Sequence, residues 1–192
     1  MLENRFSVNI TQCAQIITFT FMIFNLTISA YIRSLTQLRG ILEKSISWQL
    51  EHKVADETIL GARLALDQFS FIQQVRSTTN FAKGSGAALC GVDAPIFEDN
   101  EKSLSGAISR VDAVIAFLSA LTPEMVKDDL ETRMIPLAWM PGKGLTAKYY
   151  IEVYGHTNFY FHYTTAYSIL RHYGLAIGKG DFMGSIEMKD LA

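Results

Sequence analysis

The sequence predicts an all-α fold: four main helices packed as one domain, with a short hairpin before the last helix. Apolar residues recur at three- and four-residue steps over three separate stretches, the spacing of a buried helix face. A fourth run, Ala147 to Tyr173, is rich in aromatic side chains, and glycine and proline cluster between the runs. At 192 residues the chain is long enough to bury about 70% of its unfolded surface in a single core.

Hydrophobic residues make up 49% and charged residues 19%, too apolar a balance for disorder. A net charge of −2 and a pI near 6.1 argue against nucleic acid as a partner, because phosphate binding needs a basic surface. No Lys/Arg cluster suggests anionic lipid. The apolar run Ile16–Phe24 is nine residues long, whereas a bilayer span needs roughly 20, so no membrane partner is expected. Cys13 and Cys90 are far apart and outside any CxxC pair, which fits reduced thiols in a cytoplasmic protein. Cys90, before Gly91 at a helix end, is expected to have a raised thiol pKa and to be unreactive. Met22 reads as the domain's start, with residues 1–21 an extension outside the domain and residues 22–192 a single domain.

Taken in order, Thr27 to Gln49 forms the first helix, with Ile28, Ile32, Leu35, Leu38, Leu42 and Ile46 as its stripe. A second helical region begins at Asp56 and ends at Gly91, a C-terminal cap. Asp67 stands where it could cap a fresh start within it. Phe71, Val75, Thr78 and Ala82 make a stripe there, with Gln74 beside it. "GVDAPIFEDNEKS" is a connector, with Asp99 or Ser103 as cap for a third helix from Leu104 to Leu121. Thr122, Pro123 and Glu124 then form a cap, first position and first turn. "ETRMIPLAWMPGKGLTAK" suits a hairpin with "PGKG" as its turn. That motif is too short for a phosphate loop. The last helix runs from Ala147 to Tyr173 and is closed by Gly174. The Gly-rich tail after it forms a turn or a wrap.

On a straight last helix, Tyr149, Glu152, His156, Phe159, Tyr160, Tyr163, Tyr167 and Leu170 share one half of the cylinder. His162 lies on another side with Ile151, Gly155, Asn158, Ala166 and Ile169. His156 and His162, six apart, cannot share one metal. Asn158 and His162, four apart, can converge on one ligand. Three readings of His162 stand open: a metal ligand, a buried hydrogen-bonded histidine, or a metal-free residue contacting a ligand. His156 reads as structural, partnered by tyrosines or Glu152. His52 and His172 read as surface residues.

The run "NFYFHYTTAYSILRHYGLAIGKGDFMG" (Asn158 to Gly184), with "ARLALDQF" (Ala62 to Phe69), "QQV" (Gln73 to Val75), "APIFED" (Ala94 to Asp99) and "YIRSLTQLRGILEK" (Tyr31 to Lys44), resembles an uncharacterised bacterial and fungal domain family within the DinB/YfiT-like metalloenzyme superfamily. The resemblance implies an up-down four-helix bundle with a crossover connection, a fold that forms sites between facing helices. In metal-binding relatives one His comes from the second helix and two from a His–x3–His on the last. Mapped onto this chain, His162 matches the second His of that pair, Asn158 stands at the first, and Gln74 answers to the second-helix His. Two of three ligands are thus amides, so a divalent metal (zinc or nickel) would have only a degenerate site at His162. The resemblance implies Asp67, Gln74, Asn158 and His162 as the lining of a polar pocket, with Asp67 orienting His162 as a general base and Tyr163 contacting a ligand.

Three functions follow as expectations. One is a metal-dependent or metal-lost enzyme acting on a small molecule. Another is a small-molecule-binding stress protein with Tyr160, Tyr163, Tyr167 and Trp139 as aromatic lining. The third is a homodimeric bundle whose aromatic helix is core or interface.

Overall fold

The computed structural model describes residues 18–191. Most of the expected extension, residues 1–17, lies outside the described residues. Thr18 to Phe24 is helical and runs through a π turn, Asn25–Ser29, into α1, Ala30–His52. A short α2, Asp56–Gly61, leads through an irregular loop to α3, Phe71–Cys90. After the connector comes α4, Leu104–Ser119, and a 3-10 turn at Pro123–Met125. Strands β1, Met134–Pro136, and β2, Gly144–Thr146, pair antiparallel with Ile135 opposite Leu145. A single turn, α5 (Ala147–Tyr149), a second π turn (Tyr150–Gly155) and α6, His156–His172, form the last long element. A short α7, Lys179–Met183, packs on α1.

Local chemistry explains the boundaries. Asp67 does not cap α3. Ser70 does, in a reciprocal box where Gln73 Oε1 accepts from the Ser70 backbone N–H at 2.9 Å. At its other end Gly91 takes φ +63°, left-handed backbone that a side chain would strain, and its N–H returns to Ala87. Ser103, not Asp99, caps α4 by accepting from Gly106 N at 3.1 Å.

The helices pair as α1 on α4 and α3 on α6, and the chain crosses between the two pairs at every long connection. Their inward stripes meet in one core that includes Tyr31, Leu35, Leu38 and Leu42 from α1 and Phe71, Val75 and Leu89 from α3. Leu104, Val111 and Leu118 of α4 and Phe159, Ala166 and Ile169 of α6 complete it. No helix among the described residues is long and apolar enough to cross a membrane.

The connector does more than link α3 to α4. Arg110, whose side chain is 1% exposed, donates to Thr79 Oγ1 at 2.7 Å, Asn80 Oδ1 at 2.9 Å, Asp99 Oδ1 at 2.6 Å and Glu101 Oε1 at 2.8 Å. Arg76 Nε takes the other Glu101 oxygen at 2.6 Å. Burial opposes charge on Glu101, but these two guanidiniums outweigh it and hold its pKa below the usual carboxylate value. The loop is thereby clamped over α3 and α4.

Candidate functional site

The contact between α3 and α6 builds the site. The two helices approach closely where Ser85 of α3 meets Gly155, at the end of the second π turn. A Cβ at Gly155 would overlap Ser85 Oγ and lie 3.0 Å from the Tyr150 carbonyl oxygen, so a larger residue would force the helices to shift. Further along the same pair, α6 turns His162 toward α3, where the residue is 8% exposed.

The His162 ring lies nearly parallel to two phenylalanines. The Phe69 centroid is 6.1 Å away at 14° and the Phe81 centroid 5.7 Å away at 8°. Phe161 meets it edge-on at 5.1 Å. Phe69 and Phe161 are each more than half exposed and form an apolar rim beside a ring that is almost covered.

A short hydrogen-bond chain fixes the imidazole. Gln74, fully buried, donates its Nε2 to the Phe69 carbonyl at 3.1 Å. The carbonyl can only accept, so the amide's other end, Oε1, must face His162 Nδ1, 2.7 Å away. Nδ1 therefore carries the proton and Nε2 keeps its lone pair. No protein group among the described residues bonds to Nε2. Burial pushes the His162 pKa down to about 4, so the ring is neutral at physiological pH.

The other expected site residues fall differently. Asp67 is exposed in the loop before α3 and is not hydrogen-bonded to His162, whose orienting partner is Gln74. Tyr163 is fully buried, stacks on Phe182 with centroids 4.1 Å apart and donates its hydroxyl to the Phe182 carbonyl at 2.8 Å. It anchors the C-terminal segment rather than facing a ligand. Asn158 is half-buried and spends its amide N–H on the Tyr154 carbonyl, one turn back, at 2.7 Å. Trp139 lies exposed on the hairpin, bonded to the Tyr154 hydroxyl at 3.0 Å, away from Tyr163 and Tyr167 in their core contacts with Phe182.

This donor set does not suit a transition metal. Gln74 Oε1 is used on Nδ1, and Asn158, a neutral amide, turns its N–H to the Tyr154 carbonyl. Among the described residues no group of three His, Cys, Asp or Glu side chains could hold an ion. The Gln74 contact is instead the kind that fixes an imidazole's tautomer from behind.

Elsewhere, His156 Nδ1 is bonded to the Tyr31 hydroxyl of α1, not to Glu152. Burial raises the Tyr31 pKa and lowers that of His156, so both groups are neutral. The Cys90 thiol is pushed up to about 11, chiefly by burial rather than by a helix end.

Sequence reasoning missed the Phe69–Phe81 slot. Phe81 follows Gln74 by seven residues, two turns along one face of α3, and that spacing was the available signal.

The profile of the family described as "Domain of unknown function (DUF1993)" matches residues 23–183. The crystal structure of a DinB family member protein from Shewanella denitrificans superimposes with a TM-score of 0.83 at 32% identity, covering 91% of this chain and 99% of that one. No curated protein matches the chain.

Proposed function

The chain belongs to the DUF1993 family, a DinB-like family of helical proteins, and on that premise we propose that it is a metal-lost member whose His162 accepts a hydrogen bond from a small molecule. The supporting observation is the Gln74–His162 bond, which leaves Nε2 as an unused acceptor inside an aromatic slot. The molecule that suits it has a flat or apolar body, to lie against Phe69 and Phe161, and one N–H or O–H donor. With a pKa near 4 the imidazole is a weak base at neutral pH, and a general base works best near the operating pH. The reading is therefore recognition first, with turnover confined to substrates that give up a proton readily.

Phenol has both required features and serves as the probe. In NMR titrations it is expected to shift the His162 ring and its neighbours at millimolar concentration. Toluene, which lacks the donor, and the His162→Phe variant are expected to show no comparable response. Elemental analysis of tag-free protein runs alongside. A near-stoichiometric transition metal that disappears in His162→Ala would overturn the metal-lost reading.

A second reading is favoured by the exposed side chains near the slot. Leu64, Leu66 and Phe69 of the loop before α3 and Phe161 of α6 are all exposed apolar groups, the surface a homodimer would cover. Light scattering on Leu66→Glu and Phe161→Glu tests it, since a dimer sealed there becomes monomeric. A cytoplasmic location accompanies either reading, with Cys90 buried as a free thiol.

A further inference from the structure

A cavity of about 510 Å³ opens at the far end of the last helical element from His162, between the start of the first helix and the segment after the 3-10 turn. Glu152 on its wall precedes His162 by ten residues, roughly 15 Å along a helix, so this is a different place from the His162 slot. Its volume is in the range that holds a small ligand.

Its wall divides by chemistry. Phe19, Ile23, Val126 and Leu130 supply an apolar floor, while the charged lining consists of three carboxylates, Asp128, Glu131 and Glu152, against two ammoniums, Lys127 and Lys148. Lys148 is committed to Glu131 at 2.6 Å. Glu152 forms no ion pair among the described residues and feels Lys148 only through space. The charge left at the mouth is thus negative.

The backbone around the cavity is specialised. Two π turns occur among the described residues. One, Asn25–Ser29, begins two residues after Ile23. The other, Tyr150–Gly155, carries Glu152 itself. π turns interrupt a helix at the cost of its regular hydrogen bonding and recur at functional sites. The second packs closely on Ser85 through Gly155 and is followed by His156, bonded to Tyr31, so the segment that carries Glu152 is tied to α3 and α1.

We propose that this cavity is a second small-molecule site, selective for a protonated amine carried on an apolar body, with Glu152 receiving the ammonium. The floor takes the body by excluding water from both surfaces. The carboxylate selects against neutral and anionic molecules of the same shape.

Dansylcadaverine, a fluorescent primary amine, is the probe. Its N-acetyl derivative and dansylglycine are the neutral and anionic controls. The amine is expected to bind the protein with enhanced fluorescence, and the N-acetyl form about tenfold or more weakly, as follows from losing a charged hydrogen bond. Glu152→Gln should weaken the amine to the level of its acetyl form and leave the acetyl form unchanged. Ile23→Trp, which fills the floor, should remove binding of both. Thr20→Trp at the same wall replaces it if the Ile23 variant loses its helical circular dichroism. Absence of binding to the unmodified protein, equal binding of all three dansyl compounds, or unchanged amine binding in the filled variants would each overturn the proposal.

Discussion

Arg110 and His162 are both basic side chains buried at α3, and the bundle treats them in opposite ways. Arg110 stays charged and commits four of its N–H donors, to two carboxylates, an amide oxygen and a hydroxyl. His162 is kept neutral by burial and satisfied on one side only, with Gln74 on Nδ1 and no protein group among the described residues on Nε2. A network that spends its polar groups on one another has little to offer a ligand, so its role is to hold the connector in place. A fixed ring with a spare lone pair can still form a bond. Burial of a polar group therefore does not by itself mark a site; the unspent valence does.

The largest effect is expected at Arg110. Arg110→Met would leave Glu101 to Arg76 and Asp99 to Lys83, and would take the donor from Thr79 Oγ1 and Asn80 Oδ1. Removing one partner of a buried ion pair costs about 3–5 kcal/mol, and urea denaturation measures it. A loss below about 1 kcal/mol, the scale of a surface pair, would mean that the cluster is effectively solvated and that the contrast with His162 is false.

A somewhat smaller effect, with the opposite chemistry, belongs to His162 and appears as pH dependence. The unfolded imidazole takes a proton below its ordinary value of 6.5, the folded one only below about 4. Between those values the unfolded chain holds more protons, so stability is full above pH 6.5 and is lost as pH falls toward 4. The loss is bounded by about 3 kcal/mol. His156, also lowered by burial, adds in the same direction, so His162→Gln should flatten the profile in part. Glu101, with a lowered pKa, weakens the Arg110 cluster only in more acid solution, below the usual carboxylate range. An unchanged profile in His162→Gln would show that His162 is not held neutral.

Much of this was legible in the chain because periodicity reports which face is buried. Leu35, Leu38 and Leu42 sit in the core as their spacing implies. The Ser70 cap was legible too, since Ser-x-x-Gln at Ser70 and Gln73 is a better start signal than Asp67. The π turns were not legible. A straight helix from Ala147 groups Glu152 with His156, whereas the inserted turn separates Glu152, on the cavity, from His156, on Tyr31. Asn158 shows another limit: four-residue spacing permits convergence with His162, but the Tyr154 carbonyl one turn back is always within reach of such a side chain. Arg110 looks like an ordinary helix charge until the connector folds over it, and no local pattern encodes that closure.

The mildest substitution is the most informative, because it tests whether Gln74 or the aromatic slot fixes the imidazole. Gln74→Leu keeps the volume nearly constant but removes the acceptor from Nδ1–H and the donor from the Phe69 carbonyl. Leaving such groups unpaired costs about 1–3 kcal/mol, and the lower half is expected because Phe69 lies on the exposed loop and its carbonyl can recruit water. The decisive readout is the tautomer, measured by long-range proton–nitrogen NMR of the ring. In the unmodified protein Nδ1 carries the proton; in Gln74→Leu the Nε2–H form, the usual preference of free neutral imidazole, should gain population and phenol affinity should fall with it. If stability drops while the tautomer stays, Phe69 and Phe81 hold the ring without help, and the lone pair on Nε2 is a product of packing rather than of the glutamine.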